Sequence, residues 1–249
     1  MPPFPPRAGS ELATLYTTLT QGDDLAALRS AARELVSMID RPYNEPESIA
    51  ALQFLCEILS APYYFDLAAV TCVANALDTC EPARQLFRFP DAVGLQLAGA
   101  NLRRAGIDFV EAQLKSANLA GADLSTKLFI HANLSGAVLN HAQCADTRFI
   151  SSEATGARFV DADCTGATFT AGFRAVGAVF TGARLASATV EDADLRGANL
   201  AGANLLGTTF TNVNLAGANL SGAIYGSENW TNVDMRGVIT DGRPYLPDS

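Results

Sequence analysis

The sequence predicts a β-solenoid preceded by a small all-α domain, and three observations carry that prediction. From Leu95 to about Met235 the chain repeats a small residue, then Asn or Asp, then Leu or Phe, every five residues. Clean examples are Ala117-Asn118-Leu119, Ala122-Asp123-Leu124, Ala198-Asn199-Leu200 and Ala218-Asn219-Leu220. A period of five matches neither the 3.6 of a helix nor the 2 of a flat strand, so the chain must turn a corner within each repeat. Short internal periods of this kind signal stacked coils. Residues 1–90 lack the five-residue period and show helical spacing instead.

The helical part reads as follows. Residues 1–9 are a Pro-rich tail. Leu12, Leu15, Tyr16 and Leu19 predict a first helix with Ser10 as its N-cap. Leu25, Leu28, Ala32, Leu35 and Ile39 form an apolar stripe that begins near Asp23 or Asp24 and stops before Pro42. A third helix is expected from Pro46 to Ser60, carrying Ile49, Leu52, Leu55, Cys56 and Leu59. A fourth, from Tyr64 to Asp78, carries Leu67, Val70, Val73, Ala74 and Leu77 and ends before Pro82. Four amphipathic helices with short links make a small bundle over residues 10–81. Residues 82–94 then form a connector whose Leu86, Phe87 and Phe89 are placed to cover the first coil.

Within each repeat the large apolar residue and the small one two positions earlier point the same way in an extended segment, while the Asn or Asp between them points out. Ala fits where space is tight, Leu or Phe fills the middle, and Gly or Ser suits the corner. These residues resemble the pentapeptide-repeat family, whose pattern is A-(D/N)-L-X-X. The resemblance covers residues 95–240 and implies a right-handed, four-sided β-solenoid with four repeats per coil, here about seven coils. Residues 241–249 are a C-terminal tail.

If four repeats make one coil, residues twenty apart stack. The central residues then sort into columns, one being Phe109, Phe129, Phe149, Phe169, Val190, Phe210 and Trp230, and another Leu119, Leu139, Phe159, Phe180, Leu200 and Leu220. Rings gathered in one column are what an aromatic ladder requires. The phase slips twice, so small bulges are expected near Arg103–Ile107 and Ala171–Gly177. At the far end Leu gives way to Tyr225, Trp230 and Met235, residues large enough to close the last coil. The remainder from Arg236 has no amphipathic pattern, so the dimerising C-terminal helix of some gyrase-protecting relatives is not expected.

Composition narrows the function. The formal charge is −9, with 6 basic and 11 acidic residues up to position 90 and 11 and 15 after it. An acidic chain without a basic stripe argues against direct nucleic-acid binding. No apolar run reaches the length of a membrane-spanning helix, and the start Met-Pro-Pro-Phe-Pro-Pro has neither a basic nor an apolar leader region, so a cytoplasmic protein is expected. Cys56, Cys72, Cys80, Cys144 and Cys164 form no metal-binding spacing, and Cys144 and Cys164 fall in one column as buried thiols. His131 and His141 lie at outward positions on opposite sides of a coil. Outward carboxylates such as Asp161, Asp163, Glu191 and Asp192 are polar by position. No catalytic, cofactor-binding or metal-binding residues are assigned, and an enzyme is not expected.

Two functional classes remain. The first is a non-enzymatic scaffold that binds another protein. Its sequence support is an outward apolar strip, Val110, Ile130 and Ile150 at the coil spacing, joined by Leu128. The chain's own helices folding back on the strip is the equally simple reading. The second class is implied by the family resemblance alone, a DNA mimic that binds DNA gyrase or a topoisomerase and protects it from quinolones or natural poisons. That reading needs an acidic face. The best column is Gln113, Asn133, Glu153, Asp194, Asn214 and Asp234, with Glu153, Asp194 and Asp234 as its acids and Lys115, Arg196 and Arg236 beside them. Seven coils at about 4.8 Å span roughly one turn of duplex, so such a mimic would need to be a homodimer. The resemblance also admits a secreted bacterial effector.

Overall fold

A computed structural model describes residues 10–21, 24–39, 50–51, 54–55, 76, 97–99, 102–103, 108–226 and 229–241. Two helices precede the solenoid, α1 at Ser10–Gln21 and α2 at Leu25–Ile39. Asp24 opens α2 by accepting the Ala26 amide on its carboxylate at 3.0 Å, as an N-cap should. Leu12, Leu15 and Leu19 of α1 and Leu28, Ala32 and Leu35 of α2 are buried, whereas Leu25 is 46% exposed and drops out of the expected stripe. The Tyr16 and Phe54 rings lie 5.0 Å apart. The expected third and fourth helices, the connector, the first bulge and both tails fall largely or wholly outside the described residues.

From Leu97, whose amide donates to the Asn118 carbonyl at 2.7 Å, the described chain winds into a parallel β-solenoid. One side is a seven-stranded parallel sheet of β1 (Phe109–Val110), β2 (Leu128–Ile130), β3 (Arg148–Ile150), β4 (Thr168–Thr170), β5 (Thr189–Glu191), β7 (Thr209–Asn214) and β9 (Trp230–Asp234). Seven strands, one per coil, bound six turns, against about seven coils expected. Three further ladders run through Gln113, Asn118 and Asp123 and their partners in later coils, the last passing into β6 (Asn204–Leu205) and β8 (Ile224–Tyr225). Four ladders make four sides.

The pairing is in register, Phe109 on Phe129, Phe129 on Phe149, Phe149 on Phe169, and after one extra residue Phe169 on Val190. That extra residue sits where Ala171 and Gly172 both take positive φ, 56° and 84°, so one corner absorbs the slip. Elsewhere a single left-handed residue recurs every fifth position. At Leu119–Ala122, for example, the Ala122 amide returns to the Leu119 carbonyl at 3.1 Å across Gly121 at φ 66°, the geometry of a type II turn.

The Asn or Asp of each repeat has a structural task that its outward position conceals. Its side-chain oxygen accepts the amide two residues on, as in Asn118 to Ala120 at 3.2 Å, Asn199 to Ala201 at 3.1 Å and Asn219 to Ser221 at 3.0 Å. This Asx bond bends the chain toward the corner.

The interior is a stack of rings and methyl groups. Phe109, Phe129, Phe149 and Phe169 stack at 4.6, 4.9 and 5.0 Å, and Phe159 stacks on Phe180 at 4.6 Å. Where hydroxyls replace Ala at the inward small position, the backbone satisfies them. Thr147 Oγ1 donates to the Leu124 carbonyl and Thr208 Oγ1 to that of Leu185, both at 2.7 Å. Lys127 occupies another such position and is 6% exposed.

One side reverses the usual order of sizes. Ser152 and Ala154 are both small, and in the next coil Phe173 takes the small position while Ala175 takes the large one, all four being buried. The Phe173 ring, 5.0 Å from Phe169 and 6.0 Å from Phe149, fills the volume that two successive alanines leave. Where Val190 interrupts the ladder, an apolar void of about 10 Å³ remains among Phe169, Phe173, Phe180, Val190 and Phe210, at most one water-sized probe.

Candidate protein-interaction surface

The apolar strip lies on the seven-stranded sheet, and the coil register assembles it. Val110 pairs with Ile130 and Ile130 with Ile150, one coil apart, with Leu128 two residues from Ile130 along β2. Period-two alternation sends these side chains outward because Phe109, Phe129 and Phe149 between them point in. Leu128, Ile130 and Ile150 are half-buried, but Val110 is only 8% exposed despite its outward position in the first described strand. Beyond Ile150 the column changes character, to Thr170 in β4 and Glu191 and Thr211 in β5 and β7. The strip is therefore confined to β1, β2 and β3.

The candidate acidic column is brought together, but it does not form an acidic face. Arg174 stands between Glu153 and Asp194 in the ladder, a residue the sequence-derived column leaves out because of the one-residue slip. Its Nε lies 3.7 Å from Glu153. Asp194 is held by Arg196 through contacts of 2.8 and 2.7 Å, and Asp234 by Arg236 through Nε at 2.9 Å and Nη2 at 2.6 Å. Each acid of the column thus faces a guanidinium, two of them in the forked geometry that favours both charged forms.

The Arg236 hydrogen bonds pull the Asp234 carboxyl down to about 2, and those of Arg196 lower Asp194 in the same way. Because the folded Asp234 ionises more readily than an unfolded aspartate, whose value is near 4, the contribution of the pair is complete above about pH 4 and fades as pH falls toward 2. Carboxyl-carbon NMR should show the Asp234 midpoint near 2 in the native chain, and Arg236→Lys should move it upward because a lysine cannot fork.

The other singled-out residues lie at corners or inside the coils. His131 and His141 occupy corners with φ of 53° and 58° rather than flat faces, and His141 Nδ1 lies 4.0 Å from Asp161. Cys144 and Cys164 are buried free thiols in adjacent coils, and hydrogen bonding to Cys164 and burial push the Cys144 thiol well up. Among the described residues no group of three or more His, Cys, Asp or Glu is placed to hold a metal ion, and no helix is long and apolar enough to cross a membrane.

The family model for pentapeptide repeats matches eight copies, over residues 93–126, 128–163, 157–200 and 191–224. Among solved structures, a trypsin-treated variant of QnrB1, a plasmid-mediated fluoroquinolone resistance protein, is 20% identical, with 62% of this chain and 86% of that chain covered and a TM-score of 0.32. HetL, a pentapeptide repeat protein involved in heterocyst differentiation regulation in Nostoc sp. strain PCC 7120, is 19% identical over 60% of this chain and 87% of that one, with a TM-score of 0.19. Rfr23 from the cyanobacterium Cyanothece 51142 is 26% identical over 38% and 60%, with a TM-score of 0.22. No curated protein matches the chain. With its repeat matched across more than half of its length, the chain belongs to the pentapeptide-repeat family.

Proposed function

We propose that the protein is a non-enzymatic interaction scaffold that binds another protein across β1, β2 and β3, with residues 10–81 as a helical accessory unit joined through residues 82–94. The observation that carries this reading is the in-register stack of Val110, Ile130 and Ile150 beside Leu128 on the outer side of the sheet. Aliphatic side chains recurring one coil apart on an outward face make a flat apolar surface, and burying such side chains is worth about 1.5–3 kcal/mol each. Val110 is covered already, which leaves Leu128, Ile130 and Ile150 as the accessible part. The ion pairs at Glu153, Asp194 and Asp234 weigh against the DNA-mimic reading, because each neutralises a charge that a mimic would present.

Ile130→Asp with Ile150→Asp tests the strip. The double variant should keep the solenoid folded, since both side chains point away from the core, and should lose a partner that the native chain captures from its host. If the chain's own helices cover the strip instead, the variant is cleaved faster by protease between residues 80 and 95. Unchanged capture and unchanged cleavage would remove the strip as a contact surface. Relief of ciprofloxacin inhibition of gyrase supercoiling by the native chain would restore the alternative.

A further inference from the structure

Arg148 stands inside the apolar surface of β2 and β3. It pairs in register with Leu128, and Ile150 lies two residues along its own strand, in register with Ile130. Leu128, Ile130, Arg148 and Ile150 therefore occupy a two-by-two outward grid, about 4.8 Å across the strands and roughly 6.6 Å along them. Arg148 is exposed, whereas the three aliphatic members are half-buried. Its register partner in the next coil is Thr168, so the outward positions adjoining the guanidinium are uncharged.

Other arginines of the solenoid are neutralised. Arg174, Arg184, Arg196 and Arg236 each lie 2.6 to 3.7 Å from a carboxylate. Among the described residues no carboxylate lies within ion-pairing distance of Arg148. Two acids close to it in sequence or register are committed elsewhere. Asp108 accepts the Leu128 amide at 2.9 Å, and Asp146 turns its carboxylate over Gly166 at the corner of the next coil. An arginine left unpaired in a chain of net charge −9 and set among aliphatic side chains is a combination that protein interfaces favour. Its guanidinium is weakly hydrated and its stem adds apolar contact area.

Resting on the reading of this face as a protein contact, we propose that the partner presents an acidic, aliphatic segment. Its apolar side chains lie on Leu128, Ile130 and Ile150, and its carboxylate takes the Arg148 guanidinium. A purely apolar segment would strip water from that guanidinium and return no hydrogen bond. A basic segment would bring like charges together in the dried contact. Repulsion from the rest of the acidic chain is screened, since the screening length at physiological salt is about 8 Å. The grid carries its charge at one corner, so forked binding of the carboxylate also fixes how the segment lies across the strands.

The test selects peptides with the full-length chain. The probes are two bead libraries of short peptides randomised among Leu, Ile, Gly and Ser, one also containing Glu and Asp and the other Lys and Arg. The native chain should retain the acidic library at least about tenfold over the basic one, the scale of a hydrogen bond to a charged group. Arg148→Glu should turn the preference toward the basic library. Arg158→Glu makes the same change of net charge at an exposed position of another side of the coil, between Val138 and Val179, and should leave the preference intact. Ile130→Asp with Ile150→Asp should retain neither library. Binding that this double variant loses but that shows no acidic preference would overturn the proposal and leave the strip as a contact. Binding that the double variant keeps would remove the strip itself, and the proposal with it. No retention of either library by the native chain, an equal response to Arg158→Glu, or faster protease cleavage between residues 80 and 95 in Arg148→Glu would also overturn it, the last because the chain's own helices would then be the occupant.

Discussion

Phe149→Ala is expected to lower stability by about 3–5 kcal/mol, the usual cost of removing a large buried ring. Phe149 is fully buried and lies against four rings, Phe129, Phe159, Phe169 and Phe173, at centroid distances of 4.9 to 6.0 Å. No neighbour can swing in to fill the gap, because the coils above and below are fixed by main-chain ladders. Asn199→Ala removes only the Asx bond to the Ala201 amide, worth about 0.5–1.5 kcal/mol. Thermal unfolding monitored by circular dichroism separates the two, and equal shifts would contradict the column assignment.

Phe173→Ala should cost as much or more, for a reason particular to its surroundings. With the ring cut back to a methyl group, its companions at the inward positions on that side over two coils are Ser152, Ala154 and Ala175, so no large side chain remains among the four. The cavity term grows with the volume left, by about 24 cal/mol per Å³. The informative companion is Phe173→Ala with Ala175→Leu, which restores the ordinary small-then-large order and should recover much of the loss. Measured alone, Ala175→Leu should destabilise by about 1–3 kcal/mol through overpacking against the Phe173 ring. A double variant no more stable than Phe173→Ala would show that ring and alanines do not compensate.

Much of the fold was legible in the sequence because one physical constraint repeats. The stack of Phe109, Phe129, Phe149 and Phe169 follows from counting in twenties, and so does the pairing of Val110 with Ile130. What counting missed lies where the period breaks or where a residue has a second role. Arg174 vanished from the acidic column because the extra residue at Ala171–Gly172 moves it by one position, and with it went the ion pair to Glu153. The Asx bonds of Asn118, Asn199 and Asn219 were hidden because an outward amide and a corner-forming amide look alike in sequence. Phe173 at a position that otherwise favours Ala was a visible signal. Its meaning needs the adjacent coils, since only their alanines explain the ring. Leu25 shows the limit for helices, where a stripe drawn at helical spacing runs one residue too far at the exposed start.

The central claim is that the sheet surface at β1, β2 and β3 is where this solenoid meets another protein. Hydrogen–deuterium exchange of the native chain, alone and with its captured partner, tests that claim most directly because each coil contributes separate amides to each face. The predicted result is new protection over residues 108–112, 128–132 and 148–152, with the amides around Glu153, Asp194 and Asp234 unchanged. Protection on the Glu153, Asp194 and Asp234 column, with the strip unaffected, would contradict it.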